Sequence, residues 1–250
     1  GSRSPIYIIK NLSVSGDITI DNANSSYFEV GGLVGSAGAT LVNCHSSVNI
    51  NVKNIGTSLV EYEYYRMSIG GLAGWCYRAL NCSSSGYVNL EYLRTSKDDV
   101  SYAAVGGLLG TCRLEARNCY STSNVEVSGQ GRSYAGGLIG YCWNDWVVKV
   151  FNCYTSGNVK AEGSIEAAGA LIGSAGTKEI DMQFCYWDDA MIISPLNTIN
   201  IIIGEGGKQT RCYSFTKGLA TCVVNMSQSI DLVEVLQSWV LDNIEYSYYQ

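Results

Sequence analysis

Proline is nearly missing from this chain: there are two in 250 residues, against 28 glycines. Glycine tolerates left-handed backbone and proline cannot donate to a β-ladder, so this imbalance predicts repeated tight turns between strands. Histidine occurs once, at position 45. That excludes an H-E-x-x-H zinc site and leaves a serine-type triad only one possible base. Charged residues are only 15% of the chain and sum to a net −6, with a pI near 4.8. Such a surface repels phosphate backbones, so no nucleic-acid partner is expected. No hydrophobic run approaches the ~18 residues of a membrane span, and no signal peptide stands at the front. A signal or anchor is expected outside this stretch of chain. The apolar fraction of 46% is ample for a core.

What the chain does have is a repeat. Gly31-Gly32-Leu33-Val34-Gly35 returns as Gly70–Gly74, Gly106–Gly110, Gly136–Gly140 and, with alanine second, Gly169–Gly173. Leu33, Leu72, Leu108, Leu138 and Leu171 recur at intervals of 39, 36, 30 and 33 residues. An Asn-Cys pair follows in four copies, at Asn43-Cys44, Asn81-Cys82, Asn118-Cys119 and Asn152-Cys153, with Phe184-Cys185 in the fifth. A short alternating run comes next: Val48–Ile50, Val88–Leu90, Val125–Val127 and Val159–Ala161. Each period therefore holds three strand-like segments and no 3.6-residue pattern. So small a unit cannot bury its own apolar face and must stack on its neighbours. The expectation is a right-handed, single-stranded parallel β-helix of about five 30–39-residue coils over residues 1–188. The hand rests on the general crossover preference. The five leucines would form one inward ladder. A four-stranded propeller blade is the structural rival, disfavoured by the three-segment unit.

These motifs resemble the GLUG repeat, named for its Gly-Leu-x-Gly core. It recurs in bacterial surface proteins and in the non-catalytic part of some immunoglobulin A-cleaving metallopeptidases. The fullest copies are Gly106–Val127 and Gly136–Val159, and Cys185-Tyr186-Trp187-Asp188 resembles the Y-W-D that closes such arrays. The resemblance implies a secreted or surface-exposed bacterial β-solenoid and supplies no catalytic residues.

Residues 189–250 leave the repeat and are expected to form a C-terminal cap. Thr198–Ile203 and Thr221–Val224 read as strands. Leu232, Val235, Leu236 and Trp239 share one helical face, predicting a short helix near 228–242 with Ser227 or Ser229 as N-cap. The alternative is a linker to a further domain.

The ten cysteines would suggest a disulfide framework in an exported chain. Their repeat positions suggest otherwise. Cys44, Cys82, Cys119, Cys153 and Cys185 form one column. Cys76, Cys112 and Cys142 form another, whose end members are Ala37 and Ala175. A column that accepts alanine and cysteine alike asks for a small buried apolar group, so free thiols are expected. No C-x₂-C pair offers a metal site, and no cofactor is expected.

The alternative function is a polysaccharide lyase or hydrolase, whose chemistry needs two or three carboxylates around one glycosidic bond. Asp98-Asp99 and Asp188-Asp189 are the available pairs, and both read as turn residues. The favoured reading is a non-catalytic adhesin or scaffold, monomeric or weakly oligomeric, that binds a glycan or a host or matrix protein. Its insertions fall between the V-x-V run and the next Gly-Gly, where Tyr62, Tyr64, Tyr65 and Tyr92 lie. A separate insertion after Gly140 carries Trp143 and Trp146. Insertions in solenoids map to one face, and tyrosine and tryptophan suit sugar stacking, so these six residues are the candidate ligand contacts.

Overall fold

Each period folds as three strands that stack in parallel on the same strands of the next period, giving an all-β solenoid. The computed structural model describes residues 7–23, 25, 27–54, 65–93, 101–143, 147–163, 165–176, 180–195, 203–205, 212–216, 221–223 and 229–231.

The first face is a five-stranded sheet of Tyr27–Gly31, Arg66–Gly70, Tyr102–Gly106, Arg132–Gly136 and Ile165–Gly169. It runs into the Gly-Gly-Leu corner. The second face follows, with Tyr7–Lys10 and then Val34–Val42, Ala73–Leu80 and Leu109–Arg117. In the next coils this strand is broken in two, as Ile139–Cys142 with Val148–Phe151, and Ile172–Ser174 with Ile180–Gln183. After the Asn-Cys corner comes the third face, which begins with Ser13–Ala23 and His45–Asn54 and continues through Tyr87–Tyr92, Asn124–Gly129 and Val159–Glu162.

Glycine builds the first corner by close approach. A Cβ on Gly107 would lie 2.1 Å from the Gly137 carbonyl oxygen and 2.2 Å from Ser121 Oγ. One on Gly110 would lie 2.4 Å from Ile69 N, because the second face folds back against the backbone of the first. The corner is thus a narrow arch whose two arms touch. Between its glycines the leucines turn inward: Leu72, Leu108, Leu138 and Leu171 are fully buried, while Leu33 in the outermost copy is half-buried. Leu108→Ala should lower stability by roughly 2–5 kcal/mol through lost burial and a residual cavity. Urea unfolding would measure this.

The second corner turns on left-handed backbone. Asn11, Asn43, Asn81, Asn118, Asn152 and Phe184 have φ between 51° and 59°. Asparagine is among the few residues that adopt this region cheaply. Its side chains also stack: Asn43 Nδ2 donates to Asn11 Oδ1 at 2.8 Å, Asn118 to Asn81 at 3.0 Å and Asn152 to Asn118 at 2.9 Å. Phe184 brings no amide to the next rung, and Asn152 Oδ1 is left buried with no partner.

Two apolar clusters fill the interior. One joins the leucines, the second face and both cysteine columns, and the other lies between the third and first faces. Cys44, Cys76, Cys82, Cys112, Cys119, Cys142, Cys153 and Cys185 are all buried and unbonded, as the alanine exchanges suggested. The corner thiols donate to backbone carbonyls, Cys119 Sγ lying 3.1 Å from Arg117 O and 3.3 Å from Ala79 O. Burial pushes Cys112 up to about 12 and Cys76, Cys119, Cys142 and Cys153 well above the usual thiol range. Thiolate is the reactive form, so these groups resist oxidation while the fold is intact. A thiol reagent should find none of the eight accessible in native protein. After denaturation without reductant, it should find at least six of the ten cysteines of the chain free.

Parallel stacking continues past residue 188. Ile203–Glu205 pairs with Ile172–Ser174, and Cys212–Thr216 with Cys185–Asp188. The order then changes to antiparallel, Thr221–Val223 pairing with Cys212–Thr216 and with Ser229–Asp231. Residues 229–231 were expected to open a helix and are instead a strand, because they pair with Thr221–Val223. Leu232–Trp239 and Thr198 lie outside the described residues.

Candidate functional site

The repeat varies in length at two places. The first is the corner between the third and first faces. There Asn54, Tyr92 and Gly129 are in register on the outgoing side, and Tyr27, Arg66 and Tyr102 on the returning side. Between them the chain spends residues 55–65 in one coil and 93–101 in the next, but only Gln130 and Gly131 in the third. Register therefore makes the longer insertions leave and return one directly above the other. The second place is a bulge in the second face. Alignment slips between Ala37 and Thr40 and between Cys112 and Glu115, and the strand opens altogether between Cys142 and Val148. Bulges expel side chains from the ladder. Here they turn out Tyr77, Arg113 and Trp143 in successive coils.

The arch brings the two variable places together. Arg66, the first residue of its returning strand, lies with its guanidinium carbon 4.4 Å from the Trp143 ring centroid and 4.5 Å from that of Tyr27. It donates to the Tyr27 hydroxyl and pairs with Glu29 at 3.2 Å. Tyr102 stacks on Tyr141 at 4.4 Å. Alongside, Arg113 covers the Tyr77 ring at 5.0 Å and donates to its hydroxyl at 3.1 Å, and Trp75 meets Tyr77 edge-on at 5.1 Å. Burial dominates the electrostatics of the inner pair. It pushes the Glu29 carboxyl up, against the pull of Ser36, and the Arg66 guanidinium down. Trp75, Tyr77, Arg113, Tyr141 and Trp143 are half-buried, and Tyr27 is 48% exposed. This arch mouth is a half-open strip of rings and guanidinium groups with hydrogen-bonding edges. It can stack on an apolar ring face and donate to oxygens at that ring's rim.

Trp143 is the one sequence-derived candidate found on this strip. Tyr62, Tyr64 and Trp146 lie outside the described residues, as do Asp98 and Asp99. Tyr65 and Tyr92 correct the expectation: they are 1% and 0% exposed, so neither can meet a ligand. They fill the corner left hollow where the third coil turns on glycine. A Cβ on Gly129 would fall 2.1 Å from the Tyr92 ring, which occupies that space. The two rings pack 5.9 Å apart. Their hydroxyls reach the fourth first-face strand, Tyr65 Oη accepting from Arg132 N at 3.1 Å and Tyr92 Oη donating to Arg132 O at 2.9 Å.

The other expected features fall elsewhere. Asp188 is buried and accepts from Ala190 N at 3.0 Å, the turn role foreseen for it. His45 faces outward on the third face, its Nδ1 2.7 Å from Ser83 Oγ and its Nε2 3.2 Å from Asn43 Oδ1. Among the described residues no group of three or more His, Cys, Asp or Glu side chains is placed to hold a metal, and no helix is long and apolar enough to cross a membrane. Sequence reasoning missed Tyr27, Arg66, Trp75, Tyr77 and Arg113. The signal for three of them was the changing number of residues between the small column position (Ala37, Cys76, Cys112) and the Asn-Cys corner. No protein-family model matches the chain, and no curated protein matches it either.

Proposed function

We propose that this chain is a non-catalytic binding module of a secreted or cell-surface bacterial protein, an adhesin or display scaffold that recognises a glycan. The observation that carries this reading is the convergence of both variable-length loci on one strip of half-exposed rings and arginines. Elsewhere the repeat is committed: leucines, glycines, asparagines and cysteines hold the stack, and only the insertions are free to differ between coils. Sugar recognition asks for ring faces beside rigid donors, which the strip offers at Trp75, Tyr77, Arg113 and Trp143. The four tandem G-G-L-x-G copies, with a G-A-L-x-G fifth, support kinship with GLUG-motif surface proteins. Export is compatible with the thiol content, because burial leaves these cysteines little thiolate to oxidise.

Screening on immobilised glycans and matrix proteins, with a parallel assay for new reducing ends, tests this reading. The expected result is retention on a glycan class without release of fragments. Retention on proteins alone would replace the glycan with a protein partner. Fragmentation of a polysaccharide would make the chain an enzyme.

A further inference from the structure

We propose that the arch mouth is selective for carboxylate-bearing glycans, with Arg66 and Arg113 as the carboxylate contacts and Trp143 and Trp75 as the stacking surfaces. This rests on the glycan-binding reading above and names its ligand class.

The first ground is an orphan donor. The Arg66 side chain is 10% exposed, and its Nε is buried with no hydrogen-bond partner. A cationic N–H without an acceptor is costly, and because the Arg66 guanidinium lies between the rings of Trp143 and Tyr27, a ligand that displaced one of them would bring an oxygen to satisfy it. The second ground is alternation of cation and ring. From Tyr77 to Arg113 to Trp143 the bulge places a ring, a guanidinium and a ring in successive coils, and the Trp143 ring lies against the guanidinium of Arg66 from the first face. Coils repeat at ~4.8 Å, close to the length of one sugar residue along an extended glycan, so one residue of a chain laid along the axis spans about one coil. The third ground is the kind of cation. Guanidinium matches the planar, two-oxygen geometry of a carboxylate, whereas neutral sugars are met as well by amides.

Local charge agrees, although the chain is acidic overall. Next to the strip the outer side of the second face carries Arg78, Arg117 and Lys149 against Glu115 and Asp181, in a ladder where Arg78 meets Glu115 and Glu115 meets Lys149. Glu115 is engaged by Arg78 at 3.7 Å and by Arg117. Glu29 and Arg66 pair within the mouth and cancel one another, so the net positive charge on offer there is that of Arg113. Glu91, Glu126 and Glu162 project from the third face, where Lys53 and Lys160 pair with them. Beyond about 8 Å their repulsion is screened at physiological ionic strength.

The test is calorimetric titration of the whole chain with oligogalacturonide and oligoalginate, with their methyl esters, and with a neutral oligosaccharide of equal length. Esterification removes the charge and keeps the ring. The acids should bind about tenfold or more tightly than their esters. Arg113→Gln and Trp143→Ala should each weaken acid binding about tenfold, and Arg113→Gln should leave the thermal transition in place. Equal binding of acid and ester, or preference for the neutral chain, overturns the carboxylate assignment and leaves the glycan reading standing. Acid binding that neither variant weakens overturns the site. No binding by any of these, together with no glycan retained on the array, brings down both proposals.

Discussion

Gly107→Ala is expected to destabilise the protein by more than about 4 kcal/mol and to leave little folded protein at ambient temperature. The added methyl would meet a carbonyl oxygen of the next coil at 2.1 Å and Ser121 Oγ at 2.2 Å. The hydroxyl could rotate away, but the carbonyl belongs to a backbone fixed by its own ladder, so the coils would have to part. Ala170 holds the same position in the fifth copy, the last of the array. Gly38→Ala is the control: the nearest atom to its added methyl is on Tyr77, at an ordinary 3.7 Å. That change should fall within about 0.5 kcal/mol of the parent. Urea unfolding of the pair separates steric need from any general dislike of glycine replacement.

Tyr92→Ala should cost about 3–5 kcal/mol, the range for deleting a large buried ring. It would also remove the hydroxyl bonds to Arg132 O and Ser133 Oγ. The space vacated lies over Gly129, so the two positions should couple. Gly129→Ala should be strongly destabilising alone and much milder in the Tyr92→Ala background, an interaction that a double-mutant cycle reads directly. Additive effects would mean that the ring does not occupy the corner.

The tyrosines also show where sequence reasoning reached its limit. Leucine spacing and the exchange of alanine for cysteine were legible because every coil votes on the same column. Tyr65 and Tyr92 have no such column: Asn54 and Gly129 stand in register with Tyr92, and three unlike residues give no pattern. The clue was their complementarity, since a glycine beside a tyrosine in the stack marks one ring filling two places. The corner asparagines were legible as a repeat, but their left-handed role was not drawn from it, though asparagine is a common non-glycine choice there. Near the C-terminus a helical spacing began just after Ser229–Asp231, which strand pairing claimed instead. Local periodicity over two turns does not record a partner strand. The arch mouth was hardest to foresee. Arg66 and Trp143 are remote in sequence, and only the fold-back of the second face onto the first joins them.

A chain with both long insertions shortened would show whether glycan affinity resides in the variable loci. Residues 55–64 and 94–100 would each be cut to a two-residue Gln-Gly turn like that at Gln130-Gly131, keeping Tyr65 and Ser101, whose hydroxyl accepts from Tyr65 N at 3.0 Å. Binding to whichever glycan the array identifies should fall about tenfold or more, while the melting transition stays within a few degrees of the parent. Undiminished affinity, or a polysaccharide cut by the parent chain, would contradict the account.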